Sequence, residues 1–468
     1  MPFDPILAEI RFGTGLASGI APPASVGQML GRLNSPDQMA AAFPIETYDQ
    51  LRKRMITARS LRKASRKAKP PEEAKRLHKQ FRREVKQARV AQTNWLIHSL
   101  ARRSHTQDGL RERLAAFWAD HFTVRGKGAV LQRGALPHTE SFIRPHLTGQ
   151  FADLLIAAAT SPLMLSYLDQ LYSLGPSAPI QAKFKAKGVR RGLNENLARE
   201  ILELHTLGVD GPYTQTDVRQ LAELLTGLTL AEDFQPTYRR NWAEPGAETV
   251  LGQTYGGSTG TLEDIHAVLT DLSVHPATAR HISWKLAVHF VSDTPPDSLV
   301  GAMTARWQET GGNLHQVYHA MLEHPASWAP ERMNVKPPLD FISSTMRALG
   351  VAPVPFKGKP NDVEQRIKQH FLQPLRRMGQ PFDDPQGPDG WPEEDPHWIT
   401  PQGVASRLEW ALRAPNALMR RRLPDPRDFV TAALGPDAPG TVQFAAEAAE
   451  NRPEGIALVL ISPAFQRR

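Results

Sequence analysis

Along most of the chain apolar residues recur every three or four positions, the period of a helix with one buried face. The pattern is clear in "LRERLAAFWADHF" (residues 110–122), throughout residues 141–173, in "TDVRQLAELLTGL" (216–228) and in "TLEDIHAVLTDL" (261–272). Punctuation agrees with it. Gly208 stands where a helix from Asn194 should stop, Thr214 or Thr216 can cap the next, Thr261 with Asp264 resembles a capping box, and Pro276 suits a first helical position. Alternating, strand-like runs are scarce, and "ETVLGQTY" (248–255) is the best of them. The predicted fold is therefore mainly α: a large multi-helix globular domain with long Pro/Gly-rich loops and at most a few short strands.

One stretch breaks the amphipathic rule. Residues 51–90 hold 16 Lys/Arg against three Glu, a net charge of +13 where the whole chain carries +8, so the remainder is acidic. Pro70 and Pro71 divide it, and Leu77, Phe81 and Val85 follow four apart. The expectation is a basic helical hairpin inserted in a single domain spanning residues 1–468. The other parts are a motif-bearing helical core over 105–330 and C-terminal helices over 331–468. Those last helices carry an acidic loop rich in Pro and Trp, "MGQPFDDPQGPDGWPEEDPHW" (378–398). A hairpin this basic either faces water or meets an anionic partner, nucleic acid included.

Composition narrows the chemistry. The absence of cysteine excludes disulfides, thiolate metal sites and a cysteine nucleophile. Forty prolines imply stiff connections. No apolar run approaches the roughly 18 residues of a membrane span, and "MPFDPILAEIRFGTGLASG" lacks the form of an export signal. A soluble, cytoplasmic protein is the expectation, with periplasmic delivery by co-export with a partner as the alternative.

The densest chemistry lies in "NENLAREILELHTLGVDG" (194–211). On a helical wheel Leu197, Ala198, Ile201 and Leu204 share one arc, and His205 falls inside it. Asn196, Glu200 and Glu203 edge that arc on one side, and Glu195 with Arg199 on the other. His121 likewise sits among Leu110, Leu114, Phe117 and Trp118, with Asp120 beside it. Should the two helices pack together, His121, His205 and Glu200 or Glu203 could hold a divalent metal; otherwise the pair are core histidines. Glu203 and His205 are two apart, off the Glu-x-x-His spacing of helical metal sites. A third segment, "SVHPATARHISWKLAVHFVSD" (273–293), supplies His275, Arg280 and Lys285, and the glutamates are expected to form a polar network with Arg280 or Lys285. "GGSTG" (256–260) matches the GxSxG of a nucleophile elbow, but the parallel, buried strand that such an elbow needs is missing from the pattern.

Taken together, "RFGTGL", "FWADHF", "NENLAREILELHTLGVDGPYTQTDV", "HPATARHISWKL", "MGQPFDDPQGPDGW", "WIT" and the terminal "SPAFQ" resemble one bacterial family, domain-of-unknown-function family 1800. The likeness runs from residue 11 to Gln466. It implies a helical fold, frequent export, and genes that often neighbour a second family resembling alkaline phosphatases and sulfatases. The motif positions it carries over are Asn194, Glu195, Asn196, Arg199, Glu200, Glu203, His205, His275, Arg280, Lys285, Trp391 and Asp120 or His121, with no catalytic roles attached. Departures are the missing export signal, the basic hairpin and an unusually acidic 378–398 loop, the last two of which could pair within the molecule.

Three functions follow as expectations. The first is a binding or accessory protein beside a phosphatase- or sulfatase-like partner. The second is an enzyme with a helical active site, metal-dependent if His121, His205, Glu200 and Glu203 converge. The third is binding of nucleic acid or another anionic partner through residues 51–90.

Overall fold

The computed structural model describes residues 2–188, 191–258, 260–419 and 421–468. Helices account for 63% of the chain and strands for 5%, as the helical periodicity predicts. The capping residues act as read from the sequence. Thr214 with Asp217 and Thr261 with Asp264 form capping boxes, and Pro276 opens the helix Pro276–Phe290. "ETVLGQTY" forms a two-stranded hairpin, Gly246–Val250 paired with Gln253–Gly257, rather than one strand. Leu251 and Gly252, both with positive φ, make its turn. Ser258 of "GGSTG" is exposed just after this antiparallel pair, so the motif is not an elbow.

The basic segment folds as helices Tyr48–Lys67 and Pro71–His105. At 35 residues the second is about 50 Å long. Its outer half is charged and exposed. Its inner half carries the buried Trp95, Leu96, Ile97 and Leu100. A small apolar seam of Leu51, Met55, Ala58, Ala88 and Trp95 fastens the two helices at their base, with Phe81 and Val85 packed beside it.

Two larger cores adjoin this helix. The first is built from residues up to Trp328 and centres on the helix Gly109–His121, whose Leu114, Phe117 and Trp118 pack against Phe122, Phe151 and Tyr318. Trp118 Nε1 donates to the Tyr318 hydroxyl at 2.7 Å, which satisfies both groups. The second core takes Leu96, Ile97 and Leu100 from the long helix and otherwise lies between Phe341 and Phe465. Arg347 ties the two together. Its guanidinium donates to the Gly15 carbonyl at 2.6 Å and the Thr106 carbonyl at 2.7 Å, and it meets the buried Glu9 at 3.2 Å. The "RFGTGL" segment thus runs through the junction, where a Cβ on Gly109 would lie 2.7 Å from the Gly13 Cα. Among the described residues no helix is long and apolar enough to cross a membrane.

Candidate functional site

Asp120 and His121 occupy the last turn of the helix Gly109–His121. Facing them is the helix Pro276–Phe290, begun by His275, whose Nδ1 accepts from the Ala277 N–H at 3.1 Å. That helix carries His281, Lys285 and His289, four residues apart and hence on one face. The strand-free loop after residue 378 closes the site from the other side with Trp391 and Glu393.

The hydrogen bonds assign the two inner imidazoles. His121 Nε2 lies 3.3 Å from the His205 carbonyl, which only accepts, so Nε2 carries the proton and Nδ1 is left to accept from Lys285 Nζ at 3.2 Å. His289 takes the opposite tautomer. Its Nε2 faces an Arg113 guanidinium at 2.9 Å, which only donates, so its Nδ1–H donates to Glu393 Oε1 at 2.7 Å. Both rings are buried and neutral. Burial, and then the adjacent cation, pushes His121 far below its ordinary value. Burial chiefly brings His289 down to about 4.

Two carboxyl groups beside these histidines diverge. Burial and then the charge of Glu393 raise Asp120 well above the usual carboxylate range, against the opposing pull of Trp391 and Lys285. The Trp391 N–H donates to both Asp120 oxygens, at 3.0 and 3.1 Å. This grip requires Gly390, because with φ +81° a Cβ there would stand 2.7 Å from Asp120 Oδ2. Burial also works to raise Glu393, but His289, Arg468 and Lys285 outweigh it and hold its pKa below the ordinary value. Lys285 is itself depressed by burial, with Asp120 and Glu393 opposing.

Behind Glu393 the charges continue inward. His289 leads to Arg113, and Arg113 approaches Asp340 at 3.7 Å. Asp340 also pairs with Arg103 and Arg468. A cavity of about 220 Å³ opens among these groups, and Asp120, His289, Trp391 and Glu393 all line it.

The residues singled out in "NENLARE" lie elsewhere. The α-turns Asn196–Glu200 pass into a π-turn, Ile201–His205, which widens the helix at its end. Arg199 bridges Glu195 at 3.3 Å and Glu203 at 3.2 Å as a partly exposed ladder. The expected network of these glutamates with Arg280 or Lys285 does not form among the described residues, because Arg199 takes up Glu195 and Glu203 from four residues away while Lys285 turns to His121. Arg280 is exposed, its approach to Asp297 being 3.7 Å. Asn194 shapes the turn, donating to the Leu168 carbonyl at 2.8 Å and accepting from the Asn196 N–H at 3.0 Å. Glu200 is different. Partly buried and near Glu203 and Asp389, it is pushed up to about 7, burial being the main cause.

His205 is buried beside His121, their ring centres 5.9 Å apart, and its Nδ1 has no partner. Among the described residues no three histidine or carboxylate side chains are placed to hold a metal ion, and neither Glu200 nor Glu203 bonds to either histidine. The acidic loop does not answer the basic hairpin either. Its carboxylates go to Arg125 (Asp384, 2.6 Å), to Arg467 (Asp395, 2.7 Å) and to His289, and its contact with the long helix is Gln92 donating to Asp383 at 3.0 Å.

Sequence reasoning reached Asp120, His121, Lys285 and Trp391 but not Arg113, His281, Glu393 or Asp340. Two signals were available. His281, Lys285 and His289 repeat at four-residue spacing, and Arg113 and Asp120 are two helical turns apart. Nothing local marks Asp340, whose partners are distant in sequence.

A family model described as "Protein of unknown function (DUF1800)" matches residues 18–467. No curated protein and no solved structure matches the chain.

Proposed function

Because the chain belongs to the DUF1800 family, whose description assigns no activity, we propose a function from geometry: an acid–base enzyme, with Asp120 as general acid and Glu393 as general base in the cavity they both line. One observation carries this reading, namely that the two carboxyl groups face one cavity with their pKa values pushed in opposite directions. Such divergence lets one fold hold an acid and a base at the same pH. In a hydrolysis, Glu393 takes a proton from water as its oxygen attacks the substrate, and Asp120 gives its proton to the departing atom. Lys285 then stabilises the carboxylate left on Asp120, and His121 positions Lys285.

The test is turnover of small chromogenic esters, amides, and phosphate and sulfate monoesters by the wild-type protein, Asp120→Asn and Glu393→Gln. Loss of activity by about 10²-fold or more in each variant is expected, with the basic limb of the pH profile lost in the first and the acidic limb in the second. Turnover within about tenfold of wild type in both would refute the assignment.

A second reading, a binding or accessory role beside a phosphatase- or sulfatase-like partner, is favoured by Val404, Leu408 and Leu412. These side chains make an exposed apolar stripe on the helix Pro401–Leu418. Leu408→Glu with Leu412→Glu should then abolish co-purification of such a partner while leaving the fold intact.

A further inference from the structure

A second hollow, of about 790 Å³, lies between the middle of the long helix and the segment 361–376. Its wall is basic. Lys86, Arg89, Arg125, Arg133, Lys368 and Arg376 line it against Glu364, Asp383 and Asp384. Internal pairing uses up part of this charge. Arg89 meets Glu364 at 2.9 Å, and Arg125 and Arg376 share Asp384 at 2.6 and 3.8 Å. Lys86 and Lys368 have no carboxylate partner among the described residues. Arg133 donates to the neutral Gln92 at 2.9 Å, and its buried Nε is unpartnered.

The groove and the inner cavity share the walls Val124, Ala135, Pro381, Phe382 and Asp383. Asp383 stands at this neck with a positive φ of 53°, an unfavourable conformation for a residue with a side chain. Beyond the neck the walls mix apolar side chains, Ala115, Ala119, Leu136 and Leu339 among them, with arginines already held by carboxylates, such as Arg102 by Glu140 and Arg144 by Glu112. His138 differs from these paired groups. It is 1% exposed and lines the cavity, yet neither ring nitrogen has a hydrogen-bond partner. A buried imidazole left unsatisfied beside an open space is the position of a group that awaits a ligand.

We infer that groove and cavity form one binding site for a small amphipathic anion. Its charged head rests among Lys86, Lys368 and Arg133, and its apolar body passes the neck, carrying an uncharged polar group to His138. The inference rests on the acid–base reading, since it names the substrate class of that site: the head anchors, and the bond to be broken lies in the body near Asp120. A polynucleotide suits the groove poorly. Phe382 is the one aromatic residue among those lining it, and Glu364 and Asp384 interrupt a phosphate track.

Calorimetric titration of the full chain with hexyl phosphate, inorganic phosphate, hexanol and a short oligothymidylate tests this. Hexyl phosphate is expected to bind at least about tenfold more tightly than inorganic phosphate or hexanol, since only it presents both parts. Lys86→Gln with Lys368→Gln, two exposed positions, should weaken hexyl phosphate by about tenfold or more. Ala119→Leu, which fills the cavity, should shrink the advantage over inorganic phosphate to about threefold or less. Equal affinities for hexyl and inorganic phosphate, an unaffected double variant, or oligothymidylate as the tightest ligand would each overturn the proposal. Turnover retained in Asp120→Asn beside an intact preference for hexyl phosphate counts against the acid–base reading alone, and a lost preference beside the expected loss of turnover in Asp120→Asn counts against this one alone.

Discussion

Asp340→Asn removes one negative charge and almost no volume, and the structure says what is left behind. The carboxylate is buried and faces three guanidiniums, Arg103, Arg113 and Arg468. Arg113 is already brought down to about 9 by burial and then by the charge of Arg468. With Asp340 neutral, these cations repel one another in a region poor in water. Breaking a buried ion pair from one side costs about 3–5 kcal/mol, a large fraction of the roughly 5–15 kcal/mol that holds a typical domain folded. With an unfolding entropy of about 2.1 cal/mol/K per residue, a 468-residue chain melting as one unit has about 1 kcal/mol/K, so Tm should fall by about 4 °C.

Differential scanning calorimetry from pH 7 downward checks both size and sign. Asp340 is burdened by burial, but its three arginines hold its pKa far below the ordinary carboxylate value. Its contribution is therefore fully present above the unfolded value of about 3.9 and is lost as pH falls through the folded one. The gap between wild type and variant should stay constant from pH 7 to about 5 and close only below about 4. A Tm change under about 1 °C at pH 7 would show that the arginines do not depend on Asp340 and would sink the reasoning.

Two further substitutions probe Asp120 and Glu200, two carboxyl groups with raised pKa values. Gly390→Ala places a Cβ against the Asp120 carboxylate and forces a positive φ on alanine, so the Trp391 grip should open. Because the Trp391 N–H pulls Asp120 down, the expected sign is a further raised Asp120 pKa, seen as a basic shift of its ¹³C carboxyl titration; an unmoved titration would show that the grip does not set the site. Glu200→Gln tests the second raised carboxyl. A carboxyl that binds its proton more tightly when folded makes the folded state lose stability as pH rises from about 4.3 to about 7. The variant's Tm relative to wild type should therefore climb across that window, by a margin reduced by partial exposure to about 1 kcal/mol or less. A flat difference would place Glu200 in water.

Much of the fold was legible because it is local. The capping pairs Thr214–Asp217 and Thr261–Asp264, Pro276 at a first helical position and Gly208 with φ +91° each act within one or two turns of themselves. "ETVLGQTY" misled for the same reason in reverse: the Leu251–Gly252 turn is written inside a run that alternates like one strand. The site was legible only by halves. Wheels give each helix its inward face, which is enough for His121 and Lys285, but not which helix it meets. A π-turn at Ile201–His205, which no 100° wheel anticipates, further separates "NENLARE" from His205. Glu393 was hidden in a loop with no period at all, and Asp340 meets Arg103 across 237 positions of sequence.

The charges around the cavity are better explained by chemistry than by stability. Arg102 grips Glu140 through two bonds at 2.7 and 3.0 Å, Arg144 bridges Glu112 and Asp37, and Arg103 reaches Asp340, all at or near the cavity wall. Buried pairs of this kind contribute little net stability, since desolvation offsets most of their attraction, and apolar side chains of equal volume would pack the space as well or better. What apolar side chains cannot do is fix a field. With each arginine held by a carboxylate and each of two histidines confined to one tautomer, the charges that set Asp120 and Glu393 apart cannot relax when a proton moves between them. That fixed field is the condition under which an acid and a base lower a barrier rather than merely share a proton.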